Sequence, residues 1–470
     1  MNSTPFAVVG GGLAGITAAL RLADAGRPVV LYEAGARLGG LTHSFRRGEL
    51  DVDNGQHVFL RCCQAYLRLL NRLGVADRVF LQPRLDVPVR SPLRPRPGRL
   101  HRSGLPAPLH LSGSLLRYSM LSPADRARAV AGALALRRVR LDDPSTDQLN
   151  FADWLDEHGQ NSRTTTALWD LFTIAALNVP AAEASLAMAA KVFQTGLLTD
   201  AAAGDIGWSL IPLQQLHAEP AGRELVAAGG RLRTRCRVTA VRPDGPGWLV
   251  EDAEGGRKWF AGVVLAAPPD QVERLLPPGS VDLPPGWSAE LGTSPIVNVH
   301  LVLDRKVLDE PFLAVLDSPV QWIFDRTVQS GLASAGSQNP AGQYLAVSLS
   351  AADNLIGQRT AELRRQLEPA LAALLPGLAQ ARVLDFFVTR ERHATFRPAP
   401  GTGRLRPGAA TRRPGLALAG AWTRTGWPAT MESAVLSGEA AAELLLDARP
   451  ADPTKNQQLT ESFDLERNAT

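Results

Sequence analysis

The sequence predicts an α/β protein in which a parallel-sheet nucleotide-binding unit is assembled from separated pieces of the chain, with an α+β region inserted between them. Three observations carry this reading: a strand–glycine–helix–strand unit at residues 6 to 40, two later buried strands near 263–266 and 416–420, and long intervening stretches of different pattern. The first unit reads FAVVGGGLAGITAALRLADAGRPVVLYEAGARLGG. Phe6 to Val9 is a short apolar run suited to a buried parallel strand, and Gly10, Gly12 and Gly15 supply G-x-G-x-x-G where that strand turns into a helix. Gly10 permits the tight turn, Gly12 lets backbone approach a pyrophosphate, and Gly15 lets the helix pack closely on the sheet. Leu13 and Ala14 then stand at the helix's positive end, where a phosphate is favoured.

Ile16, Ala19, Leu20 and Leu22 give this segment an apolar helical face, Gly26 stops it, and Pro28 to Tyr32 reads as the second strand. Glu33 follows at once, and a carboxylate there can accept both ribose hydroxyls of an adenosine, favouring FAD or NAD over NADP. Glycines also mark ordinary turns, but strand, glycines, helix, strand and acid occur here in order. Ala34 continues the loop, and Arg37-Leu38-Gly39-Gly40 adds a second glycine pair that brings more backbone to an extended dinucleotide. That addition resembles FAD-dependent oxidoreductases of the amine oxidase and carotenoid desaturase type.

The rest of this Rossmann-like FAD-binding domain is expected to be discontinuous. Runs from Arg235 to Val241, Gly247 to Asp252 and Trp259 to Ala266 read as a meander returning to a buried strand. Leu416 to Gly420 reads as another, followed by a loop and a helix from Met431 to Leu446. The expected FAD-binding pieces are therefore 1–80, 220–285 and 391–446, with an inserted α+β substrate-binding domain at 81–219 and 286–390. In the insertion, Ser122 caps a helix from Pro123 to Val139, Ile296 to Leu303 reads as a strand, and Ala361 to Leu374 as an amphipathic helix. The polar segment 447–470 is expected to be a disordered tail.

Composition narrows the partners. The 470 residues are 45% hydrophobic and 20% charged, a globular balance, with a net charge of +4 and a pI near 9.2. Lys191, Lys258, Lys306 and Lys455 are the only lysines, so arginine carries nearly all the positive charge. Arg84, Arg90, Arg94, Arg96, Arg99 and Arg102 cluster among prolines, which suits either a solvated loop or a patch for anionic lipid headgroups. No aromatic stacking series accompanies them, so nucleic acid is not expected. Cys62, Cys63 and Cys236 make neither a disulfide framework nor a metal-ligand spacing, so no metal site is expected and a reducing cytoplasm fits. Only Met-Asn-Ser-Thr-Pro precedes Phe6, a poor secretion signal, and no apolar run reaches a membrane-spanning length of ~18 residues. Membrane contact is expected to be peripheral.

Two further stretches carry a more specific resemblance: Asp53-Asn54-Gly55-Gln56-His57, and Ala421-Trp422-Thr423-Arg424-Thr425-Gly426-Trp427-Pro428-Ala429-Thr430-Met431-Glu432-Ser433. With Ala175 to Asn178, Pro295 to His300 and Val320 to Arg326, the chain resembles the hydroxysqualene dehydroxylase family from Val8 to Leu446. These are squalene-associated flavoenzymes of bacterial hopanoid pathways, in one superfamily with phytoene desaturases. The resemblance implies FAD, a long-chain isoprenoid substrate and reductive removal of an allylic hydroxyl from hydroxysqualene to give squalene. It leaves the electron donor open.

The resemblance also implies a site. Gly10, Gly12, Leu13, Ala14, Gly15, Glu33, Ala34, Arg37, Gly40, Leu41, Gly55, Gln56, His57, Val238, Gly420, Ala421, Thr430 and Met431 are expected to contact FAD. Val238 would do so through its backbone at the adenine, and the Thr430-Met431 amides at flavin N1 and O2. His57 is the candidate proton donor to the leaving hydroxyl, against a structural role in hydrogen-bonding flavin or backbone. Glu432 is either an acid or a helix-stabilising carboxylate, while Asn178, Asn298 and His300 read as satisfied core groups. The chain departs from its relatives at Ala421, where aspartate is usual, at Leu41, where arginine is usual, and at Asp170, where proline is usual. Competing readings are a carotenoid-type desaturase, a flavin amine oxidase and a lipid carrier without flavin chemistry.

Overall fold

The computed structural model describes residues 4–333 and 337–447. Its first sheet has five parallel strands in the order Arg231–Arg233, Val29–Tyr32, Phe6–Val9, Gly262–Leu265 and Leu416–Leu418. Strands separated by more than 400 residues thus share one sheet, as a discontinuous α/β fold requires. Alternate side chains supply two cores. Val8, Leu31, Val264 and Ala417 pack under the opening helix Leu13–Asp24 and the closing helix Met431–Asp447. Ala7, Val9, Val30 and Val263 face the antiparallel meander Val238–Asp244, Gly247–Asp252 and Arg257–Phe260. Burial on both faces explains why these strands read as continuous apolar runs.

The inserted part is a seven-stranded mixed sheet, ordered Val383–Phe396, Thr293–Leu303, Gln343–Leu349, Trp322–Asp325, Phe312–Val315, Asp86–Arg90 and Gly98–His101. One pair, Phe312–Val315 with Asp86–Arg90, is parallel. Helix Thr360–Leu374 covers one face through Leu363, Leu367 and Leu371. The helices between residues 112 and 198 cover the other around Tyr118, Phe151, Trp169 and Phe193. No helix among the described residues is long and apolar enough to cross a membrane.

Several local expectations change. The run from Trp259 to Ala266 divides, because the chain leaves the meander at Ala261 and Gly262–Leu265 joins the parallel sheet. The strand expected from Arg235 begins at Val238, since Arg235 takes a positive φ of 55° to donate its amide to Gly35 O at 2.7 Å. Val383–Phe396 runs unbroken, so the expected boundary at 390 and 391 falls inside one strand. The helix from Pro123 ends at Leu136, and its Ser122 cap accepts the Asp125 amide at 3.2 Å. Asp447 closes the last helix; the rest of the expected tail lies outside the described residues.

Two buried histidines tie distant segments. His217 Nε2 meets the Tyr66 hydroxyl at 2.8 Å. His300 Nε2 donates to Thr389 Oγ1 at 3.0 Å, because that hydroxyl is itself committed to donating to Asn54 O, and His300 Nδ1 accepts from the Tyr344 hydroxyl. Burial pushes both imidazoles down to about 3. An unfolded histidine takes up its proton below about pH 6.5, whereas these stay neutral in the fold, so their contribution is intact above pH 6.5 and is lost as pH falls toward 3. We predict that each costs about 2 kcal/mol of stability at pH 5, and that His300→Gln flattens the decline in urea-unfolding free energy between pH 7 and 5. An unchanged slope would show that His300 does not carry it.

Candidate functional site

The site begins where the first strand turns into the opening helix. Gly10 has a φ of +112°, and a Cβ there would stand 2.4 Å from Ala266 O. A Cβ on Gly15 would lie 1.8 Å from Gly10 O, so the helix meets the turn backbone to backbone. Gly12 differs: its nearest obstacle is Gly40 Cα at 3.9 Å, which leaves the approach to the helix start open. The helix has no side-chain cap, although Leu13, Ala14 and Gly15 are buried. A buried, uncapped N-terminus behind an open glycine is a donor surface for an anion. The second glycine pair closes the slot from the other side, with Gly39 N donating to Gly11 O at 2.8 Å.

Glu33 stands at the far end of this slot. Its Oε2 accepts Gly11 N at 2.8 Å and Oε1 accepts Gly35 N at 2.6 Å. A carboxylate has about four acceptor positions, so both oxygens keep one for hydroxyl donors. Cys236 N donates to Glu33 O at 2.9 Å, which lays the start of the meander and buried Val238 beside the same loop. Exposed Ala34 lies on that loop, while Arg37 leaves it to donate to Ser44 O at 2.8 Å. Leu41 is 44% exposed.

The C-terminal motif reaches this region from the last parallel strand. Gly420 has a φ of +144°, donates to Ser437 Oγ at 2.8 Å, and leaves no room for a Cβ beside the Trp422 indole. Thr430 Oγ1 accepts Ser433 N at 3.2 Å and so caps the closing helix just before Met431. Ser433 Oγ in turn donates to Ala421 O at 3.1 Å. Glu432 is not free for acid chemistry: its oxygens accept the Ala65 and Tyr66 amides at 3.0 and 2.8 Å and cap the helix Gln64–Arg72. The loop between Gly420 and Thr430 is tied by Arg406, which the sequence did not single out. Its buried guanidinium donates to the carbonyls of Trp422, Thr423 and Trp427, and burial pushes it down to about 10.

His57 stands on a different stretch, just before the strand Val58–Leu60. Its Nδ1 is 3.1 Å from Gly55 O, so that nitrogen carries the proton and Nε2 is left as an acceptor. Burial lowers its pKa, a shift that the Gly55 hydrogen bond only partly offsets. The ring lines a cleft with Gln56, Trp208, Phe312, Phe324 and Arg326. Arg326, 8% exposed at its side chain, donates to Asp53 Oδ2 at 2.6 Å. Asp53 Oδ1 is held by Ser44 Oγ at 2.6 Å and Leu213 N at 3.0 Å. Asp53 and Arg326 sit in motifs legible in the sequence, but their pairing across 273 residues is not.

The three core candidates divide. Asn178 satisfies its side chain with Ser294 O, Thr395 Oγ1 and Ala351 N while ending a helix at a φ of 59°. His300 is bonded at both nitrogens. Asn298 donates weakly to Asn54 O at 3.3 Å, but its buried Oδ1 has no hydrogen-bond partner beside Gly55. Asp170 accepts Ala181 N at 2.7 Å, and burial raises its carboxyl.

An open glycine corner, an uncapped helix start and a two-acceptor carboxylate fit a dinucleotide, and the family comparison decides which one. Residues 13–446 match the family of flavin containing amine oxidoreductases. The chain belongs to this family. It is an FAD-dependent oxidoreductase, and FAD is its cofactor. Hydroxysqualene dehydroxylase of Zymomonas mobilis subsp. mobilis is 28% identical over 450 residues, covering 93% of this chain and 98% of its own. The 15-cis-phytoene desaturase of Solanum lycopersicum is 24% identical over 456 residues, covering 93% and 77%. A putrescine oxidase double mutant shares the fold at a TM-score of 0.71 and 18% identity, covering 94% and 99%.

Glu33→Ala removes the acceptors at the end of the slot and releases the amides of Gly11 and Gly35. FAD should bind about 1–3 kcal/mol more weakly, roughly 5- to 150-fold in Kd, measured by flavin fluorescence titration. Unaltered affinity would take Glu33 out of the cofactor site.

Proposed function

We propose that this oxidoreductase removes the allylic hydroxyl of hydroxysqualene and releases squalene and water. The overall change breaks one C–O bond and forms one C–H bond with the uptake of two electrons and two protons; the electron donor beyond the cofactor is not assigned. The observation that carries the reading is the narrow cleft beside His57, lined by Gln56, Trp208, Phe312, Phe324 and the Arg326 that pairs with buried Asp53. Similarity to the Zymomonas dehydroxylase over nearly the whole of both chains supports it.

FAD would be held by the backbone of Gly10, Gly12, Leu13, Ala14, Gly15 and Gly40, by Glu33 and Val238 toward the adenosine, and by Gly420, Ala421, Thr430 and Met431 toward the ring. When bound it supplies the two-electron reduction. The chain's own part is to make the hydroxyl leave. Burial lowers the His57 pKa and Gly55 O holds its Nδ1 proton, so we assign it the part of an acceptor in place of the acid read from the sequence: Nε2 accepts a hydrogen bond from the substrate hydroxyl and orients the oxygen, while the proton that completes the departing water, like the electron donor, is not assigned. Asp53 fixes the Arg326 guanidinium in place, so it is the group that donates to the departing oxygen. Trp208, Phe312 and Phe324 give the cleft an aromatic lining that would limit water around the positive charge formed at the allylic carbon.

Anaerobic incubation of the reduced holoenzyme with hydroxysqualene should give squalene. Arg326→Gln should lower kcat by roughly 100-fold or more with FAD retained, the scale of a lost donor to a developing anion. His57→Ala should act mainly on KM, and kcat should not rise below pH 6.5 as it would if a protonated His57 were required. Conversion of phytoene by the oxidised enzyme, with hydroxysqualene left untouched, would instead establish the desaturase reading that the tomato relative favours.

A further inference from the structure

The inserted lobe carries one face with an unusual amount of exposed hydrocarbon. Leu93, Leu105, Leu109 and Leu116 are 73%, 49%, 56% and 69% exposed. Single exposed leucines are ordinary, but these adjoin. The Ser119 hydroxyl donates to Arg96 O and Pro97 O at 3.2 and 2.9 Å, which seats the loop bearing Leu93 beside the end of the helix bearing Leu116. Ser103 N donates to His110 O at 2.7 Å, closing the loop that presents Leu105 and Leu109, and the turn Leu109–Leu111 runs straight into helix Ser112–Arg117. The Arg126 guanidinium donates to Leu116 O at 2.5 Å and joins the next helix, Pro123–Leu136, whose outer face exposes Val130 and Leu134 one turn apart.

The segment that builds this face is strongly basic up to Leu141, where exposed Asp142 and Asp143 follow. Residues 91 to 141 hold ten arginines and a single acid, Asp125. Asp125 is taken up by Arg128, Ser122 and Asn161. The arginines of the proline-rich segment sort themselves in the fold. Arg90, Arg99 and Arg102 turn to Glu310, Asp86 and Asp205 and hold the lobe together. Arg94 and Arg96 are exposed beside Leu93, and with Arg117, Arg137 and Arg138 they make no ion pair among the described residues.

We propose that this face docks on an anionic phospholipid bilayer, with the leucines at the boundary of headgroups and acyl chains and the unpaired arginines on lipid phosphates. Short, separate loops tipped with leucine suit a deformable hydrocarbon boundary better than a fitted protein surface, and the arginine stems add hydrocarbon of their own while keeping the guanidinium in water. Behind the face, Leu100, Tyr118, Met120, Ala129 and Leu136 belong to one apolar core with Phe312, and Trp208 and Phe324 pack against that core. Docking therefore brings the lobe of the His57 cleft, rather than the FAD sheet, toward the membrane. The docking rests on the surface alone; its use in taking up hydrocarbon rests on the function proposed above.

Sedimentation of the full-length holoenzyme with vesicles tests it. The protein should pellet with phosphatidylcholine vesicles containing phosphatidylglycerol, less with phosphatidylcholine alone, and less at high salt. A variant carrying Leu93→Ser, Leu109→Ser and Leu116→Ser, and a second carrying Arg94→Glu and Arg96→Glu, should each bind roughly tenfold more weakly, with flavin absorbance and thermal midpoint unchanged. Failure of the wild type to pellet with anionic vesicles overturns the proposal, as does binding by both variants as strong as that of the wild type. A dimer in solution that the leucine substitutions dissociate, with vesicle binding unaffected, overturns it in favour of a contact between copies. Loss of vesicle binding with hydroxysqualene turnover in detergent intact supports docking and leaves the catalytic reading standing. Absence of turnover with vesicle binding intact strikes only the catalytic reading.

Discussion

The structure depends on three backbone contacts that no side chain would allow. A Cβ on Gly15 would stand 1.8 Å from Gly10 O, one on Gly10 would stand 2.4 Å from Ala266 O, and one on Gly438 would stand 2.3 Å from Ala14 O. The first two press the opening helix against the turn and the turn against the neighbouring strand. The third presses the closing helix onto the opening one, so that residues far apart in sequence share one corner. Any added methyl group there must move backbone, and tightly packed interiors do not yield by that much. The open slot at Gly12, the cap at Thr430 and the loop at Gly420 all take their places from this corner.

Buried charge organises the rest. Arg406 satisfies three carbonyls of the loop before the closing helix, Glu432 caps a helix it does not belong to, and Asp53 clamps Arg326 beside His57. Such groups add little net stability because desolvation offsets their attraction, but losing one partner strands the other. Their value lies in position. In the reaction proposed above, a guanidinium fixed beside the imidazole would divide two roles that one histidine could not fill alone: one group would give hydrogen bonds to the oxygen, the other would accept one from the hydroxyl.

Legibility in the sequence followed locality. The glycine corner, Glu33, the strand near Ile296 and the helix from Ala361 each announce themselves within a short window, because turn chemistry and one periodicity suffice. The strand Val383–Phe396 does not, since its mixed burial gives no clean alternation. Three π-helical segments, Thr165–Trp169, Gln194–Leu198 and Gln214–Ala218, leave no compositional trace. Arg406 was invisible for a similar reason: an arginine in a proline–glycine loop reads as solvated, and only the fold shows carbonyls converging on it. His57 was found by motif, but its charge state depends on burial that no motif encodes.

The claim that a side-chain-free corner creates the FAD cradle is tested most directly at Gly15. FAD affinity and far-ultraviolet circular dichroism of Gly15→Ala, measured beside the parent chain, separate cradle from fold. The account predicts at least roughly tenfold weaker FAD binding with helix content preserved, because the added Cβ must push the helix start away from Gly10 O. FAD bound as tightly by Gly15→Ala as by the parent would contradict it.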